Sequence, residues 1–161
     1  MGLFDGLLKK KEIHISSPVD GICVQISEVS DPTFGEEIIG KGVAIRPSNG
    51  RIVSPVDGEI STIFPTGHAV GITTADGVEL LIHIGLDTVA LKGEHFSAHV
   101  SSGDKVKKGD LLVEVDMEAV KEKGYDTITP VIICNTPDFA SIDGIIDNEV
   151  KAGDDIMILK K

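Results

Sequence analysis

The phrase SPVDGICVQI at residues 17–26 returns as SPVDGEISTI at 54–63 and, more loosely, as ASIDGIIDNE at 140–149. A second phrase, VKKGDLLVEV at 106–115, is answered by VKAGDDIMIL at 150–159. Strand–turn units this short cannot each bury a face, so the copies must combine into one sandwich or barrel. Runs rich in Val, Ile and Leu, separated by Gly, Pro, Asp and Asn, predict strands at 12–15, 21–26, 42–46, 58–64, 68–74, 78–84, 111–116, 128–134 and 155–160. One helix is expected at 117–123, MEAVKEK, closed by Gly124. With no Trp and one Tyr, the core has to be aliphatic, and 18 Gly and 7 Pro supply the turns. The expected fold is all-β: an antiparallel sandwich or barrel with internally duplicated strand–turn units and one or two short helices. A chain of 161 residues suits one such domain, over residues 12–161.

Residues 1–11 stand apart from this pattern. On a helix, Leu3 with Leu7 and Phe4 with Leu8 form i,i+4 pairs, followed by Lys9, Lys10 and Lys11. This amphipathic leader suits weak contact with an anionic membrane surface, or a frayed tail. The chain as a whole is acidic, with a net charge of −11, which repels phosphate backbones and argues against nucleic acid as a partner. No apolar run reaches the roughly 18 residues of a membrane span and no signal peptide is recognisable, so a cytoplasmic protein is expected, at most peripheral to the membrane's inner face. Cys23 and Cys134 lie in apolar surroundings without Cys-x-x-Cys spacing and are read as reduced, buried thiols.

The stretch GVELLIHIGLDTV at 77–89 sets an imidazole, His83, in an aliphatic strand. Upstream, Asp76-Gly77 is a strong two-residue hairpin turn. That turn sets Ala75 opposite Val78, His83 opposite Val70 and His68 opposite Gly85. Residues 68, 70, 83 and 85 then share one face, with the two imidazoles as diagonal neighbours about 7–8 Å apart. Val78, Leu80, Ile82 and Ile84 take the other face, the natural core side. Paired imidazoles on a non-core face have three readings: structural residues, two metal ligands with Asp87 as the best further candidate, or a nucleophile beside an oriented donor. A neutral imidazole can accept a phosphoryl group, which makes phosphoryl transfer the third reading's natural chemistry.

Residues 77–89 also match a family pattern throughout: Gly77, Leu80-Leu81-Ile82, His83, Ile84, Gly85, Leu86, Thr88, Val89. With SPVDG before a strand twice, GVAIRP at 42–47, FPTGHAV around His68, LKGE after the site and TPVIICN at 129–135, the chain resembles the glucose-type enzyme IIA components of the bacterial sugar phosphotransferase system. The similarity spans essentially all of residues 12–161, and the leader also resembles that of free-standing members. Val-x-x-Gly-Asp turns occur in biotinyl and lipoyl carrier domains too, a likeness of fold and not of function.

The resemblance implies that His83 accepts a phosphoryl group on Nε2 from the histidine of the carrier HPr and passes it to a cysteine of a sugar-specific IIB domain. It implies that His68 stabilises the group in transit, that Thr66 orients His68 through its hydroxyl, and that the Gly85 carbonyl fixes the tautomer of His83. Asp87 would border the site and help reset partner contacts. An apolar rim of Phe34, Ile39, Phe64, Leu81 and Val89 would dock partners. Leu81 stands where an aromatic is common, and Pro32-Thr33 replaces a more apolar pair, departures that bear on partner preference. His14, His95 and His99 lie outside the motif and are read as surface residues. No IIB or IIC segment is recognisable, so the acceptor cysteine belongs to another chain. No cofactor is implied, and zinc would bind His68 and His83 only where a partner supplies a further ligand.

Two other functions compete with the relay. A purely regulatory protein would bind permeases or kinases through the same patch when unphosphorylated. A zinc metallopeptidase of related architecture would need a third protein ligand that no motif provides. A biotinyl carrier is weaker still, because no lysine occupies a Met-Lys-Met-like hairpin tip.

Overall fold

The computed structural model describes residues 12–161, so the amphipathic leader lies outside the described residues. Fourteen strands and two short helices follow in order: β1 (Glu12–Ser16), β2 (Gly21–Gln25), α1 (Pro32–Gly35), β3 (Lys41–Pro47), β4 (Arg51–Val53), β5 (Gly58–Ile63), β6 (Ala69–Thr73), β7 (Glu79–His83), β8 (Phe96–Ala98), β9 (Lys105–Val106), β10 (Leu111–Val115), α2 (Met117–Glu122), β11 (Thr129–Ile133), β12 (Ser141–Gly144), β13 (Asn148–Val150) and β14 (Asp155–Lys160). An eight-stranded sheet runs β13-β2-β3-β11-β7-β6-β5-β9, and two three-stranded sheets run β1-β14-β12 and β4-β10-β8. Every pairing is antiparallel. Among the described residues no helix is long and apolar enough to cross a membrane.

Alternation along the large sheet divides its side chains between two apolar layers. Cys23, Val43, Ile45, Leu80, Ile82, Val131 and Ile133 face the main core, where they meet Ile13, Ile15, Met157 and Leu159 from one small sheet and Ile52, Leu112 and Val113 from the other. Val24, Ala44, Leu81 and Ile132 face the opposite way, under Ile26, Val29 and Phe34 from the segment between β2 and β3. This smaller layer matters for function, because His83 shares the Leu81 side of β7.

The repeated phrases are a repeated clasp. In each copy a serine hydroxyl closes its own turn: Ser17 Oγ donates to the Val19 carbonyl at 2.6 Å, and Ser54 Oγ to that of Val56 at 2.7 Å. The aspartate three positions on accepts a backbone N–H from the second phrase, Asp20 from Ala152 at 2.7 Å and Asp57 from Lys108 at 2.8 Å. The copies are stitched together by Val53 N–H to the Pro18 carbonyl at 2.8 Å and Ser16 N–H to that of Pro55 at 3.2 Å. Turn chemistry, and not only hydrophobic pattern, therefore fixes how the duplicated units meet.

Close approach of the central strands rests on Gly42. A Cβ there would lie 2.0 Å from the Val131 carbonyl oxygen on β11. Gly42→Ala is expected to destabilise the fold by about 2–3 kcal/mol or more through steric displacement of β3 from β11. Urea melts showing an unchanged midpoint would contradict this.

The hairpin between β6 and β7 differs from the expected register by one residue. Thr74 N–H bonds to the Val78 carbonyl at 3.0 Å and Gly77 N–H to the Thr74 carbonyl at 3.1 Å, so the loop holds Ala75, Asp76 and Gly77. Ala69, not Val70, opposes His83, and Gly71 opposes Leu81. Only Gly77 takes positive φ, +86°, as in a type I turn with a following bulge, whereas the two-residue turn needs Asp76 there too. Thr74 adds a reason for the longer loop, since its hydroxyl accepts from Val78 N–H at 3.1 Å.

Both cysteines are free, but only Cys23 is buried. Cys134 is exposed, because it follows the last residue of β11 where the chain turns out of the sheet. Burial, with Asp147 nearby, pushes the Cys23 thiol up to about 11, and partial desolvation of the Cys134 sulfur, with Glu79 nearby, also raises that thiol. Neither is a ready thiolate.

Candidate functional site

In strict alternation the observed register would turn His68 toward the main core and His83 away from it. The rings nevertheless meet, with centroids 5.1 Å apart and planes at 81°. His68 lies just before β6, at a bend that follows Gly67, whose φ is +74°. The bend frees the side chain from the strand's alternation, while the backbone stays tied by Ile84 N–H to the His68 carbonyl at 2.7 Å. The juxtaposition expected from sequence is present, but a bend produces it in place of a shared strand face.

The two rings differ in environment. His83 is partly exposed, at the end of β7. His68 is only 3% exposed, more buried than a pair on an open face should be, with Phe64 meeting it edge-on at 5.1 Å. His83 Nδ1 lies 2.7 Å from the Gly85 carbonyl oxygen. A carbonyl only accepts, so Nδ1 carries the proton and a neutral ring has its lone pair on Nε2. Thr66 Oγ1 hydrogen-bonds to His68 Nδ1.

Burial lowers the pKa of His83, opposed by the Gly85 hydrogen bond and by the nearby carboxylates of Asp31 and Asp87. Burial, with repulsion from a charged His83, lowers His68 to about 4. Both rings are thus neutral at pH 7. A lowered histidine pKa makes the folded state resist protonation while the unfolded chain accepts it. Stability is therefore lost as pH falls from about 6.5 toward 4, by of the order of 3 kcal/mol for His68. Chemical melts at pH 7.5 and pH 4.5 are expected to show a smaller acid loss in His68→Gln than in wild type; equal losses would contradict the assignment.

The surroundings only partly follow the expected rim. Phe64 is 45% exposed and Val89 54%, whereas Ile39 and Leu81 are partly buried against the smaller apolar layer. Phe34 is not on the rim: it is 5% exposed, and its ring packs 4.8 Å from that of His83, forming a floor. Ile38, 70% exposed, was missed; the adjacent Ile38-Ile39 pair gave a signal, since neighbouring side chains on extended chain face opposite ways.

Asp87 is exposed and left-handed, with φ +59°. It borders an open hollow of about 570 Å³ that Asp31, Tyr125 and Asp126 also line. Asp31 was missed as well. It caps α1 by accepting from Thr33 N–H at 3.0 Å, and Asp-Pro before an apolar residue is a recognisable helix start.

Among the described residues no three His, Cys, Asp or Glu side chains are grouped to hold a metal, so Asp87 does not complete a triad with His68 and His83. His14 pairs with Asp155 at 2.8 Å and His99 with Glu114 at 2.8 Å, both exposed. His95 departs from the expected surface position. It is partly buried at φ +76°, with Nε2 lacking a hydrogen-bond partner and 3.5 Å from Glu94.

An antiparallel β-sandwich that sets two neutral imidazoles against each other, one with a free ring nitrogen and an exposed apolar border, defines a phosphohistidine-type carrier class. The chain belongs to the EIIA 1 family of the phosphoenolpyruvate-dependent sugar phosphotransferase system, whose family model matches residues 13–139. It is 50% identical over 151 residues to the glucose-specific EIIA component of Halalkalibacterium halodurans, covering 94% of this chain and 87% of that one. A β-glucoside-specific EIIBCA component of Bacillus subtilis is 53% identical over 126 residues, covering 78% of this chain but 21% of that larger protein. The solved glucose permease IIA of Mycoplasma capricolum superposes with a TM-score of 0.87 at 40% identity, over 92% of this chain and 96% of that one. The protein is a phosphocarrier, a transferase component of sugar uptake, and its family acts in the system with HPr and IIB domains.

Proposed function

We propose that His83 is the phosphoryl acceptor, taking the group from the phosphohistidine of HPr and delivering it to a cysteine of a IIB domain. The observation that carries this reading is the 2.7 Å hydrogen bond from His83 Nδ1–H to the Gly85 carbonyl. It leaves the Nε2 lone pair as the nucleophile. That lone pair attacks phosphorus in line, the donor's P–N bond breaks, and its electron pair returns to the donor imidazole. In the second transfer a IIB thiolate attacks, and the pair returns to His83 Nε2.

His68 stabilises the moving group. The Thr66 hydroxyl donates to its Nδ1, so its Nε2–H is free to donate to phosphoryl oxygens as their charge redistributes. A centroid separation of 5.1 Å keeps the two rings within reach of one phosphoryl group. Asp31 and Asp87 hold negative charge beside the site, which attracts a cationic partner face and repels the phosphoryl group once it is present. Ile38, Phe64 and Val89 supply an exposed apolar dock. The same surface serves regulatory partners when the site is unphosphorylated. The relay needs no cofactor, and zinc would enter only at an interface where a partner adds ligands to His68 and His83. It operates in the cytoplasm, where HPr and IIB domains are met.

Incubation with phosphoenolpyruvate, enzyme I and HPr, followed by mass spectrometry, tests the reading. One acid-labile phosphate on the peptide containing His83 is expected; phosphate on another peptide, or none, would overturn it.

A further inference from the structure

Three successive peptide groups after β7 are each tied by hydrogen bonds, and the middle one is tied by the Thr88 side chain. Ile84 N–H is fixed by the His68 carbonyl at 2.7 Å. The Ile84 carbonyl accepts Thr88 Oγ1–H at 2.6 Å. Leu86 N–H, on the peptide whose carbonyl receives His83 Nδ1–H, is fixed by the Asp126 carbonyl at 2.9 Å.

Gly85 joins the second and third of these peptides with φ +77°, where a glycine rotates most freely. Thr88 also restricts that hinge by contact. A Cβ at 85 would lie 2.7 Å from Thr88 Cγ2, so the threonine methyl packs on the glycine's bare face. Thr88 is 1% exposed, which removes water as a substitute donor for the Ile84 carbonyl.

We propose that Thr88 is a positioning residue for phosphoryl transfer: its hydroxyl fixes the Ile84–Gly85 peptide and thereby aims the Gly85 carbonyl at His83 Nδ1. This rests on the reading of His83 as acceptor. Without the hydroxyl, the Ile84–Gly85 peptide turns about Gly85 and only the Leu86 N–H bond to the Asp126 carbonyl still holds the Gly85–Leu86 peptide, so the Gly85 carbonyl shifts off Nδ1 and the ring populates the Nε2–H tautomer, which has no Nε2 lone pair for attack.

The test compares ¹⁵N-labelled wild type, T88V and T88S. Valine keeps the shape and deletes the hydroxyl; serine keeps the hydroxyl and deletes the methyl. Two-bond ¹⁵N–¹H spectra are expected to show a single Nδ1–H tautomer of His83 in wild type and T88S, and a mixture in T88V. Phosphorylation by phospho-HPr is expected to be about tenfold slower in T88V, the loss usual when a supporting hydrogen bond behind a reactive group is removed, and restored in T88S. A single tautomer or an unchanged rate in T88V overturns the proposal, as does T88S behaving like T88V. Should T88V fail to fold, T88A against T88S gives the same comparison, since both lack the methyl and differ in the hydroxyl. Mapping the phosphate on wild type separates the two claims: label away from His83 overturns the acceptor, whatever the tautomers show.

Discussion

His83→Ala is expected to abolish phosphorylation by phospho-HPr, lowering the rate by at least about a thousandfold, because removal of a nucleophile leaves no alternative route. The other histidines do not substitute for it. His68 is 3% exposed and its Nδ1 is occupied by Thr66. His14 and His99 are held in carboxylate pairs at 2.8 Å. The substitution should leave the fold intact, since His83 lies at the end of β7 over the smaller apolar layer, outside the main core. Radiolabel transferred from phospho-HPr to the Ala variant at the wild-type rate would remove His83 from the chemistry.

The second large effect divides the two half-reactions. His68→Ala is expected to preserve acceptance on His83, because the nucleophile's tautomer depends on Gly85 and not on His68. Onward transfer to IIB should fall by about 100-fold, the loss typical of deleting one donor to a transition-state oxygen. The phosphorylated variant would then accumulate and persist when IIB is added. A single-turnover chase checks this directly. Equal losses in both half-reactions would make His68 a structural support for His83; no loss in either would make it a bystander.

Much of this site was legible in the chain because its constraints are local. The Gly85 carbonyl lies two residues from the ring it holds, and Thr66 two residues from His68, so short motif spacing carries the geometry. The nine longer strands also announce themselves through apolar runs. β4, β8, β9, β12 and β13 were missed because segments such as Lys105–Val106 become strands only through distant partners, here β5. The hairpin register was misread because Asp-Gly serves two turn types, and the competition was decided by Thr74, a residue outside the dipeptide. Phe34 lies under the site and not on its rim because the loop between β2 and β3 folds down over the sheet. Nothing in the local pattern of 26–40 encodes that packing.

The relay depends on which nitrogen of His83 reacts. Phosphorus-31 NMR of the phosphorylated protein, denatured at alkaline pH to keep the P–N bond, distinguishes the two phosphohistidine isomers by chemical shift. A single Nε2-phosphohistidine resonance, lost in His83→Ala, is the predicted result. A resonance from Nδ1-phosphohistidine would mean that the Gly85 hydrogen bond does not govern the chemistry, and would contradict the account at its centre.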